Sequence, residues 1–240
     1  MGRGVAQRLA LDGAAVAINY RRDREAADEV VEAVERAGGR AVAYQAAIDD
    51  IAAVHSMVDA VREDLGSVDI LVSNAGTSSR GGTVADTAPE EFASLMAVHA
   101  FGPIGLIQAV MPDLRRAERS DIVMISSATV PNAPAGAAAY TMAKAAMETC
   151  IRTLAREERR HGVRANVVAP GLVATDMGQR LVKATTGGVL QDLSDSSPFG
   201  RVCVPADVAA AVAWLVSADA SYVTGQRIGV DGGGADVGIF

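Results

Sequence analysis

The sequence predicts a single α/β domain in which helices cover both faces of a doubly wound parallel sheet. Short segments rich in Val and Ile alternate with amphipathic helical segments along the chain, an arrangement that implies right-handed crossovers between parallel strands. The strand segments are apolar throughout, which is typical of strands buried on both faces of a sheet. With 240 residues, half of them hydrophobic, and no linker or internal repeat, we expect one domain over residues 1–240.

Six segments are predicted as strands: Ala14–Asn19, Arg40–Gln45, Asp69–Ser73, Asp121–Ser126, Val163–Ala169 and Gln226–Val230. The amphipathic stretches predict six helices: Arg3–Leu11, Arg24–Ala37, Ile51–Leu65, Pro89–Arg116, Ala138–His161 and Pro205–Val216. Three of these helices are followed by glycines, which accept the left-handed conformation of a helix end: Gly13, Gly38–Gly39 and Gly66. The polar, turn-rich stretch Thr175–Gly200 is interpreted as a substrate lid, with a variable surface loop as the alternative.

The composition argues against several classes of partner. The net charge is −7 and aromatic residues make up only 4% of the chain, so neither a nucleic acid nor an anionic membrane is an expected partner. The cysteines, Cys150 and Cys203, and the three scattered histidines form neither a disulfide framework nor a metal-ligand pattern. No apolar run of membrane-spanning length and no signal peptide are predicted, so we expect a cytoplasmic protein.

A tyrosine and a lysine four residues apart carry the strongest chemical signal. Tyr140 and Lys144 lie on a predicted helix, and this spacing places both side chains on one face. A free tyrosine has a pKa of ~10 and is a poor acid–base catalyst at neutral pH unless a nearby positive charge favours the phenolate. Lys144 would supply that charge. Taken alone, the pair is equally well explained by an exposed polar helix face.

Three further motifs follow predicted strands at their carboxyl ends, where open α/β sheets bind ligands. Ser127 ends the strand before the helix of Tyr140 and could donate a hydrogen bond to a substrate oxygen. Asn74-Ala75-Gly76 and Pro170-Gly171 follow two other strands, and their small residues let the backbone approach a flat ligand. Each motif alone could be an ordinary turn, but the set predicts a site.

Together these residues resemble the marker motifs of the classical short-chain dehydrogenase/reductases. The C-terminal stretch is similar too, from Phe199-Gly200-Arg201 through Val223-Thr224-Gly225-Gln226 to Val230-Asp231-Gly232-Gly233. The pattern is most similar to the branch that contains bacterial 3-oxoacyl-[acyl-carrier-protein] reductases. The resemblance implies a Rossmann-like sheet and an oxidoreductase that transfers a hydride between a nicotinamide cofactor and a carbonyl or secondary alcohol.

The resemblance also implies a role for each motif residue. Tyr140 would exchange a proton with the substrate oxygen, Lys144 would lower the pKa of Tyr140 and bind the nicotinamide ribose, and Ser127 would orient the carbonyl. The residues expected to hold the cofactor are Gly2, Arg21, Arg22, Ile48, Asn74, Ala75, Gly76, Tyr140, Lys144, Pro170, Gly171, Val173 and Thr175. No metal is expected.

The charges after the first predicted strand favour NADP(H) over NAD(H). An acidic side chain at this place would bind a ribose 2′-hydroxyl and repel a 2′-phosphate. Here the chain reads Ile18-Asn19-Tyr20-Arg21-Arg22, with no carboxylate before Asp23, and guanidinium groups suit a phosphate. The alternative is that Arg21 and Arg22 belong only to a solvated loop.

The N-terminal end departs from the family pattern. The family begins with a strand and a turn of the form Thr-Gly-x-x-x-Gly-x-Gly, whereas this chain starts at Met1-Gly2-Arg3-Gly4. Gly2 corresponds to the last glycine, so the first strand and most of the glycine-rich turn are expected to be absent, which leaves two neighbouring strands unpaired. A truncated reading frame is favoured over a natural protein without the strand, because each unpaired buried backbone group costs ~1–3 kcal/mol.

Two side chains also differ from the family pattern. His99 stands in place of an Asn of the proton-relay network. A histidine titrates near neutrality and could serve in that relay, or it could be bound into local structure; both interpretations stay open. Ala47-Ile48 stands where many relatives carry an Asp beside the adenine, which would leave packing and backbone contacts to hold the ring.

The favoured function is reduction of a 3-oxoacyl group or another ketone, on a small molecule that is either free or bound to an acyl carrier. The short glycine turn and His99 suggest an alternative, a catalytically weak NADP-binding relative with a binding or scaffold role. A sugar or polyol dehydrogenase would use the same residues in the oxidative direction. The resemblance also implies a homotetramer or homodimer built on the helices Pro89–Arg116 and Ala138–His161.

Overall fold

The computed structural model describes residues 1–234, so positions 235–240 of the predicted domain lie outside the described part. The single α/β domain is confirmed, and the ends of all six predicted strands are correct to within one residue. The strands are β1 Ala15–Tyr20, β2 Arg40–Gln45, β3 Ile70–Ser73, β4 Ser120–Ile125, β5 Val163–Pro170 and β6 Arg227–Val230.

All strand pairs are parallel, as predicted, and they fall into two hydrogen-bonded groups. One group has four strands in the order β3-β4-β5-β6, and the other consists of β1 and β2. In residues 1–234, β1 and β3 therefore have one strand neighbour each. Every residue of β4 and β5 is buried, as predicted, but no residue of β1 is. The prediction that strands are buried on both faces is wrong for β1, because a group of only two strands is covered less completely than the four-stranded group.

The described residues form nine α-helices: α1 Gly2–Leu11, α2 Arg24–Arg36, α3 Ile51–Leu65, α4 Pro89–Met96, α5 Gly102–Leu114, α6 Thr129–Asn132, α7 Ala138–Glu158, α8 Asp176–Thr186 and α9 Pro205–Val216. The expected single helix Pro89–Arg116 is wrong as a regular helix, because a π-helical turn at Ala97–Phe101 separates α4 from α5. Gly102 follows this turn and lies so close to the backbone of Ile48 that a side chain would not fit.

Two hydrophobic cores show that helices cover both faces of the four-stranded sheet. On one face α3, α5 and α7 pack on the strands, with Leu114 and Ile151 fully buried. On the other face α1 and α9 pack on the same strands, with Val5 and Val212 in the core. Dense burial of this kind fixes the strand ends that carry the candidate site.

The run Pro89–Leu114 corrects the expectation that no apolar segment reaches the length of a membrane span. By length and composition alone its 26 residues could cross a membrane. In the fold, 61% of its most apolar window is buried, with Val110 and Leu114 inside the core. Its apolar composition is accounted for by packing against α3, α7 and the sheet.

The stretch predicted as a lid contains more regular structure than expected. Residue Thr175 caps α8, because its Oγ1 accepts a hydrogen bond from the Gly178 amide at 3.1 Å. Two short 3₁₀ turns follow, at Leu190–Leu193 and Pro198–Gly200. This segment leaves β5 at the edge where the candidate site lies.

Candidate functional site

The candidate site lies at the carboxyl ends of β3, β4 and β5. These strands are parallel neighbours, so the residues that follow them meet at one edge of the sheet. Strand pairing continues past the strand ends, since the amide of Ala128 donates to the carbonyl of Pro170 at 2.8 Å. The structure therefore brings the segments of Asn74, Ser127 and Pro170 together at this edge.

The first residues of α1 reach the same edge. A Cβ on Gly2 would lie 2.7 Å from Nδ2 of Asn74, so a side chain at this position would displace the Asn74 amide. The other polar atom of this side chain, Oδ1 of Asn74, is buried and has no hydrogen-bond partner in the described part of the chain. A buried acceptor without a donor is costly, and this one is available to a donor group of a bound ligand.

Tyr140 and Lys144 enter the site from α7, one helical turn apart. Lys144 is buried, and its Nζ donates a hydrogen bond to the carbonyl of Ile125, the last residue of β4, at 2.7 Å. The same Nζ lies 5.9 Å from the centre of the Tyr140 ring. The predicted shared helix face is confirmed in this geometry, and the alternative of an exposed polar face is wrong for Lys144.

Burial governs the protonation of both side chains. It lowers the pKa of Lys144 to about 8, with the charge of Glu148 acting in the opposite direction. It raises the pKa of Tyr140, and the neighbouring Ser127 hydroxyl opposes that rise. In this structure the pKa of Tyr140 is therefore raised and not lowered as expected, because burial is the largest cause of the shift and the Ser127 hydroxyl opposes it only in part.

Ser127 stands between β4 and α6 with its hydroxyl close to Tyr140. Its Oγ lies 2.9 Å from Oγ1 of Thr129 and accepts a hydrogen bond from the Thr129 amide at 3.2 Å. These contacts belong to the turn that the sequence offered as the alternative. They also orient the hydroxyl beside the tyrosine, so one geometry serves both interpretations.

His99 lies in the π-helical turn, an irregularity that is frequent at functional sites. Only 2% of the residue is exposed, and its ring meets the Tyr140 ring edge-on, with centroids 5.2 Å apart and an interplanar angle of 82°. Its Nε2 lies 2.8 Å from the carbonyl oxygen of Thr77. With Nε2 donating to that carbonyl, Nδ1 is left as a buried acceptor that has no partner among the residues described.

The expectation that His99 titrates near neutrality is wrong. Burial, supported by the charge of Lys144, lowers the pKa of His99 to about 4. The imidazole is therefore neutral at physiological pH. It can accept a hydrogen bond through Nδ1, but it does not act as a proton donor that recharges near pH 7.

The residues expected at the adenosine end lie apart from this cluster. Arg21 and Arg22 are exposed and follow β1 directly, and the carbonyl of Arg21 accepts a hydrogen bond from Nε2 of Gln45 at 3.2 Å. Ile48 follows β2 and is buried in the core between α3 and α5. The chain thus places two cationic side chains after the end of β1 and an apolar side chain after the end of β2.

The residues expected at the nicotinamide end follow β5. Gly171 donates its amide to the carbonyl of Val230 at 3.1 Å, and a Cβ there would lie 3.1 Å from Asp231. Val173 is buried and forms a parallel bridge with Cys203. These contacts anchor the start of the segment that leads into α8.

Two charged residues at the site were missed by the sequence analysis. Glu148 accepts a hydrogen bond from Oγ of Ser126 at 2.5 Å, and Arg227 donates to the carbonyl of Ser127 at 2.9 Å. The sequence spacing could have indicated Glu148, because it is four residues beyond Lys144 on the same helix face. No local sequence pattern indicates Arg227, which comes from β6.

In the described part of the chain no three His, Cys, Asp or Glu side chains come together as metal ligands would. The absence of a metal from the reaction stays a prediction.

Comparisons with known proteins agree with this geometry. A family model described as enoyl-(acyl carrier protein) reductase matches residues 1–234. The 3-oxoacyl-[acyl-carrier-protein] reductase FabG of Staphylococcus aureus (strain Mu50) is 32% identical over 233 residues, which are 97% of this chain and 93% of that protein.

Two solved structures are similar to the whole fold. The angucycline C-6 ketoreductase LanV with bound NADP has a TM-score of 0.86 at 32% identity, over 96% of this chain and 90% of that one. The NAD⁺-bound xylitol dehydrogenase has a TM-score of 0.89 at 28% identity, over 96% of this chain and 93% of that one.

Proposed function

The chain belongs to the short-chain dehydrogenase/reductase family of oxidoreductases, and on this premise we propose that it reduces a ketone with NADPH, the substrate being a 3-oxoacyl group or a similar carbonyl. One observation carries the proposal. Ser127, Tyr140 and Lys144 come from a strand end and a helix face and lie together at the ligand-binding edge of the sheet.

The residues at this edge fit a nicotinamide nucleotide. The buried Oδ1 of Asn74 has no hydrogen-bond partner among residues 1–234, and a side chain at Gly2 would displace the Asn74 amide. The nucleotide, when bound, supplies the hydride. Asn74, Ala75 and Gly76 would lie along it, Pro170, Gly171, Val173 and Thr175 would hold the nicotinamide end, and Gly2, Arg21, Arg22 and Ile48 would hold the remainder.

The chain's own residues would manage the proton. Tyr140 is protonated at neutral pH, since burial raises its pKa, so it is suited to donate a proton to a carbonyl oxygen. Ser127 would donate a hydrogen bond to the same oxygen and orient it. Lys144, held by the carbonyl of Ile125, would place its positive charge beside the phenolate as it forms. His99 would support Tyr140 through ring contact and through the free Nδ1.

Two observations support NADP(H) as the cofactor. Arg21 and Arg22 are exposed after β1, with no carboxylate before Asp23, and guanidinium groups bind a phosphate by paired hydrogen bonds. LanV, which is similar over 96% of this chain, was solved with bound NADP. The bound NAD⁺ of the similar xylitol dehydrogenase is the reason to compare both nucleotides.

The substrate class is proposed from the same relatives. FabG and LanV both carry names of ketone-reducing enzymes. The segment Thr175–Gly200, as a lid, would cover the substrate, and its exposed Met177, Leu181 and Phe199 would offer an apolar surface. Polyol oxidation is the second candidate, favoured by the likeness to xylitol dehydrogenase, because the same tyrosine could accept the proton of an alcohol.

A direct test is reduction of a substrate panel by the purified chain. A 3-oxoacyl thioester, a simple ketone, a 2-enoyl thioester and a polyol would be assayed with NADPH and NADH. We expect carbonyl reduction with NADPH and its loss by at least ~100-fold in Tyr140→Phe, since a general acid contributes about that much. Binding of nucleotide without turnover of any substrate would instead favour a weak NADP-binding relative, and turnover by Tyr140→Phe would refute the mechanism.

Assembly and location complete the proposal. We propose a homodimer or homotetramer in which α4, α5 and α7 pack against a second copy, supported by exposed Phe101 and by a groove between α5 and α7 lined by Met111 and Leu154. Light scattering of the purified protein would measure the state. We propose a cytoplasmic location, and the net charge of −7 supports the absence of nucleic-acid and anionic-membrane partners.

A further inference from the structure

Glu148 is a buried carboxylate that the proposed proton chemistry does not use. It lies one turn beyond Lys144 on α7, so Tyr140, Lys144 and Glu148 share one helix face. Only 6% of Glu148 is exposed. A carboxylate buried to this degree is costly unless it is paired and hydrogen-bonded, so its partners show what holds it there.

The partners of Glu148 lie directly after β4 and at the start of β6. Its Oε1 accepts a hydrogen bond from Oγ of Ser126 at 2.5 Å and another from Nε of Arg227 at 3.1 Å. Ser126 directly precedes Ser127, the serine proposed to orient the substrate. Arg227 begins β6, where it pairs with Val167 of β5.

The guanidinium of Arg227 connects this carboxylate to the proposed catalytic serine. While Nε binds Glu148, Nη2 donates to the carbonyl oxygen of Ser127 at 2.9 Å. Three consecutive residues at the end of β4 are thus held by side chains from outside the strand. Lys144 holds the carbonyl of Ile125, Glu148 holds the hydroxyl of Ser126, and Arg227 holds the carbonyl of Ser127.

From this geometry we propose that Glu148 and Arg227 are a pair of positioning residues, which fix the Ser127 backbone and keep a negative charge next to Lys144. The inference rests on the proposed function for its catalytic consequence, but the pair itself can be tested without turnover. Their contacts are to Ser126, to the carbonyl of Ser127 and to each other, so both would act through Ser127 and Lys144.

The charges around Lys144 explain why Glu148 matters. Burial lowers the pKa of Lys144, and Glu148 is the group that opposes the fall. The other titratable groups that face the lysine are Tyr140 on the same helix and neutral His99 from the π-helical turn. The guanidinium of Arg227 is paired with Glu148 and with the carbonyl of Ser127. Glu148 is therefore the negative charge that favours the protonated form of Lys144.

The chain contains only two lysines, Lys144 and Lys183, which makes the first measurement direct. The pKa of Lys144 can be followed by NMR of protein labelled at lysine, with Lys183 as the internal reference and Lys183→Arg to assign the two signals. In Glu148→Gln we expect the pKa of Lys144 to fall by about one unit, the scale of an adjacent opposite charge. Gln keeps an acceptor for Ser126, so the change isolates the charge.

The matched control is Glu158→Gln. Glu158 lies on the same helix, is buried to a similar degree and pairs with Arg115 at 2.5 Å, but it is remote from the site. We expect this variant to leave the pKa of Lys144 unchanged. An unchanged pKa in Glu148→Gln would overturn the electrostatic half of the inference, whatever the substrate proves to be.

The second measurement addresses position. In Arg227→Met we expect kcat for carbonyl reduction to fall about ten-fold, with KM and NADPH affinity unchanged, because a small displacement of Ser127 impairs alignment of the carbonyl. Arg227→Lys should recover part of the loss. If Arg227→Met does not fold, the double variant Glu148→Gln with Arg227→Gln keeps an uncharged hydrogen-bonding pair and should show the same fall in kcat.

The outcomes separate this inference from the proposed function. Folded variants with wild-type kcat would show that the pair is an ordinary structural ion pair. If the wild-type chain reduces no carbonyl, the proposed function fails, and the lysine titration still decides whether Glu148 sets the protonation of Lys144.

Discussion

Lys144, Tyr140 and His99 are all shifted toward their uncharged forms by burial. The pKa falls to about 8 for Lys144 and about 4 for His99, and it rises for Tyr140. At neutral pH the tyrosine is therefore protonated and the histidine neutral. A protonated tyrosine beside a lysine that still carries its charge is suited to proton donation, which is the reductive direction.

The buried histidine makes a prediction about stability in acid. The pKa of His99 is lowered from 6.5 to about 4 in the fold, so between these values the unfolded chain binds the extra proton and stability decreases as pH falls. The contribution present above pH 6.5 and lost by about pH 4 is about 3 kcal/mol. We expect His99→Asn to unfold with a weaker pH dependence over this window.

Denaturant unfolding at several pH values between 4 and 7 would measure that difference. His55→Asn is the control, because His55 is exposed on α3 and should leave the pH dependence as it is in the wild type. An equal slope in wild type and His99→Asn would show that His99 is not held neutral.

The exposed arginines after β1 predict nucleotide preference. In a variant with Arg21→Ala and Arg22→Ala we expect NADPH affinity to fall about ten-fold or more and NADH affinity to stay constant, because a hydrogen bond to a charged group contributes ~1.5–3 kcal/mol. Nucleotide fluorescence titration measures both. Arg24→Ala is the control, since Arg24 pairs with Asp28 at 3.2 Å. Parallel losses for both nucleotides would contradict a 2′-phosphate contact.

At the scale of elements, the π-helical turn packs against the loop that follows β3. His99 lies in the turn and contacts the carbonyl of Thr77 in the loop, and a Cβ on Gly76 would lie 2.6 Å from Cε1 of His99. His99 belongs to a helical segment, and the loop of Gly76 and Thr77 follows the partly buried strand β3. The turn therefore places the histidine and keeps the loop residue small.

Gly76→Ala is expected to destabilise the fold by ~1–3 kcal/mol, the cost of overpacking a tight contact. His99→Ala should remove much of that penalty, so the two changes should be strongly non-additive. Thermal or denaturant unfolding of the single and double variants measures the coupling. Gly229→Ala is the control, because the nearest atom to an added Cβ there is 3.4 Å away; additive effects at positions 76 and 99 would contradict the contact.

The observed strands and helices also show which features of the fold a local sequence pattern can predict. Runs rich in Val and Ile predicted the strand positions to within one residue, because an apolar run of strand length can be recognised over a few positions. The break between α4 and α5 was not predictable, since Ala97–Phe101 has no helix-breaking residue. The turn coincides with contacts to Ile48 and Thr77, which lie far away in sequence.

At the scale of the whole molecule, the two groups of strands differ in burial. All residues of β4 and β5 are buried, while none of β1 is. Local opening requires less free energy where fewer apolar contacts are lost. We expect amides of β1 and β2 to exchange hydrogen at least about ten-fold faster than those of β4 and β5.

Hydrogen exchange measured by mass spectrometry would resolve the two groups, with the central β4 and β5 peptides as the internal reference. Equal protection in both groups would show that the strands open as one cooperative unit. Addition of NADPH should slow exchange after β1 if Arg21 and Arg22 bind it.

The sequence by itself determined the α/β class, the strand positions and the segments that meet at the sheet edge, because apolar runs and the motifs that follow them can be recognised within short stretches of the chain. It also identified Tyr140 and Lys144 from their spacing. Only the tertiary structure decided the protonation of Lys144 and His99, because burial depends on every element packed around them. The contact of the Glu148 and Arg227 pair with Ser127 could likewise not be predicted from the sequence. Ser127 and Arg227 lie 100 residues apart and meet only when β6 pairs with β5.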